Sequence, residues 1–179
     1  ARALIGGEAV RVLLSLNTAT HPDYQGKGLF TKLAELTYAA GAELGYDCVY
    51  GVANANSTHG FIRRLDFQLV RPLGASVGVG GLGINFERLG PALHFRRLWT
   101  DEALAWRCAN PVNPVFAHRE GNHTTLLAPA MLGGVCSASA ELDGPTNLTA
   151  TGGFATPLRL FVGLVPTLAQ RHAIYLDIP

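Results

Sequence analysis

The sequence predicts an α/β layer structure in its first part and a β-rich second part. Three observations carry that reading. Val10 to Asn17 is a Val- and Leu-rich run with only Arg11 and Ser15 as polar interruptions, the composition of a strand buried on most of both faces. Leu29, Leu33, Leu36, Ala40 and Leu44 then recur at helical spacing, and Tyr46 to Val52 reads as a second buried strand ahead of a shorter helix. Strand, helix, strand, helix is the order of an α/β layer. Beyond residue 120 come four strand candidates, His123 to Ala128, Val135 to Leu142, Leu158 to Leu164 and Ala173 to Ile178, with no helical pattern between them.

Taken in chain order, Ala1 to Ile5 reads as the end of a strand, and Gly6-Gly7-Glu8 as a tight hairpin turn into the Val10 strand. His21 to Gly28 is a loop by its Pro and Gly content. Gly45 stops the helix that starts at about Leu29, and Asn54 to Ser57 open the next one, which runs through Leu65. Gly74 to Gly83 is glycine-dense and weakly patterned, so residues 74–99 are expected to form a hairpin or linker between a domain at 1–73 and another at 100–179. Asp101 to Arg107 reads as a short amphipathic helix with Trp106 in the core, and Pro111 and Pro114 punctuate a turn.

With 48% hydrophobic and 15% charged residues among 179, the chain can build a real core and is neither disordered nor fibrous. A formal charge of +1 gives no broad basic field, which argues against nucleic acid and for small-molecule or protein partners. Cys48, Cys108 and Cys136 are odd in number and far apart, so they are expected to be reduced, mostly buried small hydrophobes rather than zinc ligands or disulfides. The run Leu158 to Leu168 is broken by Arg159, Gly163 and Pro166 and is too short to span a bilayer. With no secretory or transit signal at the start, a cytoplasmic location without membrane contact is the expectation.

The loop before the first long helix is the chemically specific part of the chain. Glycines at 26 and 28 allow close approach of a ligand and backbone conformations barred to other residues, so that several N–H groups can point into one concavity. The start of the helix adds its positive dipole end and unpaired N–H groups, which together suit a phosphate or pyrophosphate. Lys27 adds a mobile positive charge. A dinucleotide fingerprint would need three spaced glycines and a later acid, and a P-loop would need Gly-Lys-Ser/Thr. Gly28 is followed by Leu29, and neither pattern fits.

The passage Gln25-Gly26-Lys27-Gly28-Leu29-Phe30 resembles the central motif of the GNAT superfamily of acyl-CoA N-acyltransferases: Arg or Gln, two residues, Gly, one residue, then Gly or Ala. Phe30 stands where the last small residue is usual. Thr20-His21-Pro22-Asp23-Tyr24 is similar to the family's strand exit, and the likeness continues through Tyr46 to Tyr50 and from Asn56-Ser57 to Leu65-Asp66-Phe67, about the first two fifths of the chain. The resemblance implies a GNAT-like mixed, mostly antiparallel central sheet flanked by helices. It implies that Gln25, Gly26, Lys27, Gly28, Leu29 and Phe30 hold the CoA pyrophosphate through the backbone. It further implies that Thr18, Ala19 and Thr20 line the pantetheine and thioester, and that Asn56 contacts the CoA arm. Acetyl-CoA would be the acyl donor, with no metal. The segment Asp101 to Arg107 with Asn110-Pro111 is similar to the opening of the second half in tandem-GNAT proteins, which would make the β-rich second half a degenerate GNAT-like domain.

Three departures from the family pattern bear on chemistry. Ile62 occupies the place of the Tyr that protonates the departing thiolate in many members, and Asp66 replaces the Gly before Phe67. Only about one strand precedes Val10, where the family has a strand, two helices and further strands. That implies either that the numbering lacks an N-terminal part or that a curtailed domain is completed by a partner. Candidate proton acceptors are His21, as an imidazole beside the strand exit, and His59 in the shorter helix, acting directly or through water; the plain alternative for each is a surface or hydrogen-bonded structural histidine, and Tyr24 and Tyr50 are further alternatives, Tyr50 being read rather as a core residue.

The functional expectation is transfer of an acetyl or short acyl group from acyl-CoA to a primary amine of a small molecule, an amino sugar being one candidate. The alternative is a catalytically silent acyl-CoA-binding or sensing module. An aminoacyl transferase of the Fem type would use paired GNAT-like domains but usually lacks the intact pyrophosphate loop present here. Homo-oligomerisation stays open at this level.

Overall fold

The computed structural model describes residues 1–16, 19–130, 136–144, 156–164 and 175–178. It is an α/β protein with a four-stranded and a six-stranded mixed sheet, mostly antiparallel in each. The chain divides into two compact units, one of residues 1–70 and 94–98, the other of residues 71–93 and 99–179.

In the first unit, β1 (Arg2–Ile5) and β2 (Glu8–Ser15) form a hairpin. Its two-residue turn, Gly6-Gly7, has φ of 58° and 92°, which only glycines adopt without strain. β3 (Cys48–Gly51) lies parallel to β2, from Val12 opposite Cys48 to Ser15 opposite Gly51. β5 (Phe95–Leu98) lies antiparallel to β1, giving the order β3-β2-β1-β5. The central strands carry the fully buried Ala3 and Val12.

The parallel pair requires a crossover, supplied by α1 (Leu29–Glu43). Its Gly41 faces Leu13 so closely that an added Cβ would lie 2.5 Å from the Leu13 Cδ1, and Tyr38 Oη and Ser15 Oγ share a hydrogen bond of 3.1 Å. Gly45, at φ 77°, ends the helix: its N–H donates to the Ala42 carbonyl at 2.9 Å while the Tyr46 N–H donates to the Gly41 carbonyl at 3.0 Å. This is the paired closure that a left-handed residue after the last turn permits. α2 (Ala55–Arg64) packs on α1 through Phe30, Phe61, Phe67 and Tyr38, with successive ring centroids 5.2, 5.1 and 5.7 Å apart. After α2, Asp66 adopts φ 56° and is the one non-glycine residue with positive φ among the described residues. Asp66 stands where the resembled pattern has glycine, the residue that takes this backbone conformation without strain.

Residues 74–99, expected as a hairpin or linker, instead contribute a strand to each unit. β4 (Gly74–Val79) enters the six-stranded sheet, α3 (Phe86–Leu89) follows, and β5 joins the four-stranded one. Low hydrophobic contrast concealed β4: its glycines leave few side chains to mark a face, and Tyr175 fills the space above Gly78, where an added Cβ would meet the ring at 2.4 Å or more in an overlap.

The second unit's sheet has the order β10-β4-β9-β8-β7-β6, with β6 (Phe116–Glu120), β7 (His123–Pro129), β8 (Cys136–Asp143), β9 (Leu158–Gly163) and β10 (Leu176–Ile178). β8 and β9 are its one parallel pair among the described residues. β6 was not anticipated from the sequence. The expected strand ends at Asn17, Val135, Ala173 and Ile174 lie outside the described residues. α4 (Asp101–Cys108) is capped by Thr100, whose Oγ1 accepts from the Ala103 N–H at 3.2 Å. It buries Leu104 in a cluster with Val115, Ala117 and Leu126, bordered by Trp99, Cys108, Ala128 and Leu142. Trp106 does not join that core: it is 74% exposed, because α4 turns its Leu104 side inward. Arg107 donates from Nη1 to the Asn113 carbonyl at 3.1 Å.

Among the described residues no helix is long and apolar enough to cross a membrane. All three cysteines are free; Cys136 is buried, whereas Cys48 and Cys108 are only partly so. Burial pushes the thiols of Cys48 and Cys108 above the ordinary range; Asp47 adds to the effect at Cys48, and Arg107 opposes it at Cys108.

Candidate functional site

The candidate site lies in the first unit, where both helices begin. β2 and β3 are parallel, so α1 and α2, which follow them, start at the same edge of the sheet.

The chain between β2 and α1 is held by a set of short contacts. Pro22 to Tyr24 form one turn of 3-10 helix, with the Tyr24 N–H donating to the His21 carbonyl at 2.9 Å. Gln25 Nε2 donates back to the Thr20 carbonyl at 3.1 Å, and Lys27 Nζ to the Asp23 carbonyl at 3.2 Å. Gly26 and Gly28 follow with φ of 74° and 70° and nothing within 4 Å of where a Cβ would stand. Both glycines are therefore required by backbone conformation and leave open space above them.

The two helix starts differ. α2 caps itself: Asn54 Oδ1 accepts from the Ser57 N–H at 2.9 Å. α1 begins at Gly28, which has no side chain, so its first turn receives no side-chain cap. Its first-turn amides and the positive end of its dipole face a cleft of about 490 Å³.

The cleft is lined on the α1 side by Thr20, Tyr24, Gln25, Gly26, Gly28, Leu29, Phe30 and Thr31, and on the α2 side by Asn54, Asn56, Ser57, His59, Gly60 and Arg64. None of these residues is acidic. Gly60 makes room for Phe30: a Cβ at 60 would sit 3.1 Å from the Phe30 ring. Phe30, which departs from the small residue of the resembled motif, thereby forms the cleft's apolar floor with its edge on Phe61.

Nine of the residues singled out from the sequence, Thr20, Tyr24, Gln25, Gly26, Gly28, Leu29, Phe30, Asn56 and His59, come together in this cleft. Thr18 lies outside the described residues. Ala19 and His21 do not line the cleft. His21 turns outward, its Nδ1 accepting from the Asp23 N–H at 3.4 Å and lying 3.7 Å from the Asp23 carboxylate. Lys27 is also absent from the lining, its ammonium placed 4.9 Å from the Tyr24 ring centroid. Thr31, Asn54, Ser57, Gly60 and Arg64 were not anticipated as site residues; the stripe Asn56, Gly60 and Arg64 at fourfold spacing was the signal available for two of them.

A second groove of about 530 Å³ runs along the other side of α1, lined by Leu13, Leu33, Leu36, Ala40 and Leu44 with Thr37 and Tyr46. None of its lining residues is charged, in contrast to the first cleft, which Arg64, His59 and several amide side chains line.

The fold and cleft define an α/β protein with an uncapped helix start behind a glycine-rich strand-to-helix turn. Comparison with known proteins adds no relative: no protein-family model, no curated protein and no solved structure matches the chain.

Proposed function

We propose that this chain is a GNAT-type N-acyltransferase that moves an acetyl or other short acyl group from acyl-CoA to a primary amine of a small molecule, with amino sugars among the candidate acceptors. The observation that carries the reading is the uncapped start of α1 behind two left-handed glycines, opening on a cleft lined by no acid. Amides of the Gly26 to Phe30 turn hold the pyrophosphate of CoA, and Asn56 supports the arm.

In the reaction the neutral amine nitrogen attacks the thioester carbonyl, the new C–N bond forms, the C–S bond breaks, and the thiolate leaves. Positioning of the two reactants and polarisation of the carbonyl by a backbone N–H supply most of the acceleration. The proton lost by the amine needs an acceptor. His59 is the candidate, because it lines the cleft and His21 does not.

A second reading, a silent acyl-CoA-binding module, is favoured by Ile62 standing where a proton-donating Tyr is usual in the resembled family. Release of free thiol from acetyl-CoA with a panel of primary amines separates the two. Turnover with any amine supports the enzyme. Saturable CoA binding with no turnover across the panel leaves the module, and no CoA binding at all removes both.

A further inference from the structure

We infer that the outer face of α1 is a self-association surface, through which two copies of this chain pair with their α1 helices antiparallel about a two-fold axis. The inference does not rest on the CoA reading. Leu33, Leu36 and Leu44 are 62%, 59% and 68% exposed, and Ala40 between them is exposed as well. At about 100° per residue these four lie within roughly 80° of one another, so they form one stripe along the helix. Ala34 and Gly41, the buried positions of α1, lie about a quarter turn away. The stripe is one wall of the groove of about 530 Å³, and Leu13 and Tyr46 stand on the other side of it. Three exposed leucines along one groove make a contiguous apolar surface, which marks a contact site more than scattered exposure does.

The charges beside the stripe decide what covers it. Lys32 and Glu43 stand within about 20° of one another on one flank, in the first and last turns of α1, about 16 Å apart along its axis. Both are exposed, and no ion pair engages either among the described residues. Glu35, the remaining charge of α1, lies farther round the helix from the stripe. A two-fold axis at right angles to an antiparallel helix pair keeps the charged flank on the same side in both copies and reverses its direction. Lys32 of one copy then falls opposite Glu43 of the other, and symmetry repeats the pair. The centre that matches these charges is at about residue 38, and the stripe has the same centre, with Leu33 answering Leu44 and Leu36 answering Ala40. The small Ala40 there lets the two axes approach closely. A parallel pair would set Lys32 on Lys32 and Glu43 on Glu43, and would align the helix dipoles instead of opposing them. The stripe and its charges are therefore complementary to themselves in one orientation, which a second copy supplies.

The test is sedimentation velocity of the full chain over a concentration series, with Leu36→Asp, Lys32→Glu, Glu43→Lys and the double variant Lys32→Glu/Glu43→Lys. Two four-turn helices bury less than the roughly 1,200 Å² of a standard stable interface, so wild type is expected to dimerise with a Kd of about 10 µM. Leu36→Asp is expected to weaken association by about a hundredfold. Its melting temperature should equal that of wild type at concentrations where both are monomeric, because Leu36 is exposed in the single chain. Each single charge swap sets like charges opposite one another at both ends of the pair and is expected to weaken the dimer about tenfold. The double variant is expected to regain wild-type association. A wild type that stays monomeric up to about 100 times the expected Kd overturns the inference and leaves the stripe to a partner of another kind. A dimer that survives Leu36→Asp is built on another face, and single swaps without effect, or a double variant no better than either, remove the antiparallel pairing; each of these also overturns it. If Leu36→Asp unfolds, the three charge variants decide alone.

Discussion

The starts of α1 and α2 stand side by side at one edge of the first unit's sheet and are built in opposite ways. α2 satisfies its own first turn through Asn54, as most helices do. α1 has glycine at the same position, in a left-handed conformation that brings no side chain to the amides. A helix start with glycine in place of a capping side chain gives up only about a few tenths of a kcal/mol of local stability. The difference is one of open donors: the capped start satisfies its own amides, and the uncapped start leaves its first-turn donors open, which is where the proposed ligand would sit.

The largest expected effect breaks that contrast directly. Gly28→Val puts a β-branched residue at φ 70° and fills the open space over the turn. CoA, as a ligand of the native state, should raise the melting temperature of wild type and leave that of Gly28→Val unchanged. A CoA-dependent rise that survives in the variant would move the pyrophosphate elsewhere.

Asn54→Ala tests the other helix start. It should cost about 1 kcal/mol in denaturant-measured stability by removing the cap, with a CoA affinity changed far less than in Gly28→Val. A loss of binding as large as that of Gly28→Val would show that both helix starts serve the ligand.

Asp66→Gly sharpens the comparison at the helix ends. Glycine relieves the left-handed strain of about 1 kcal/mol at φ 56° but adds freedom to the unfolded chain. The net expected gain is a few tenths of a kcal/mol, read as a small rise in the denaturation midpoint. Any clear destabilisation would mean that the Asp66 side chain has a role of its own.

The smallest effect concerns the thiols. The Cys48 and Cys108 thiols are held above the ordinary thiol range, mainly by burial. A raised thiol binds its proton more tightly in the folded protein, so its contribution to stability is complete below the ordinary thiol pKa and fades as pH rises from about 9 upward. Alkylation of the native protein should therefore show a pH midpoint above that of a free thiol, and the denatured protein should return to the ordinary value. A native midpoint at or below the free-thiol value would contradict the burial of these groups.

How much of this was legible in the sequence varies by unit, for physical reasons. In the first unit the glycine pair, the leucine spacing and the Val-rich strand are local signals, and each local preference agrees with the fold. The turn at Gly6-Gly7, the stop at Gly45 and the loop from Gln25 to Gly28 could all be read because glycine reports backbone conformation directly. In the second unit the pattern misleads. β8 alternates Cys136, Ala138 and Leu142 with Ser137, Ser139 and Glu141, which suggests a polar face in solvent. Yet Ser137, Ser139, Thr125, Ser76 and Arg159 are all buried, and the Glu141 carboxylate accepts the Leu82 N–H. The polar face is covered, and alternation alone does not report what covers it.

By itself the sequence determined the strand–helix–strand order, the glycine turn and the lack of a capping side chain at the first helix start, because these depend on neighbours within a few residues. Only the tertiary structure decided that β5 returns from residue 95 to pair with β1, that Trp106 faces outward, that His59 and not His21 reaches the cleft, and that Arg64 shares it. Those outcomes depend on which faces of distant segments meet, and packing between segments far apart in the chain leaves no local periodicity to read.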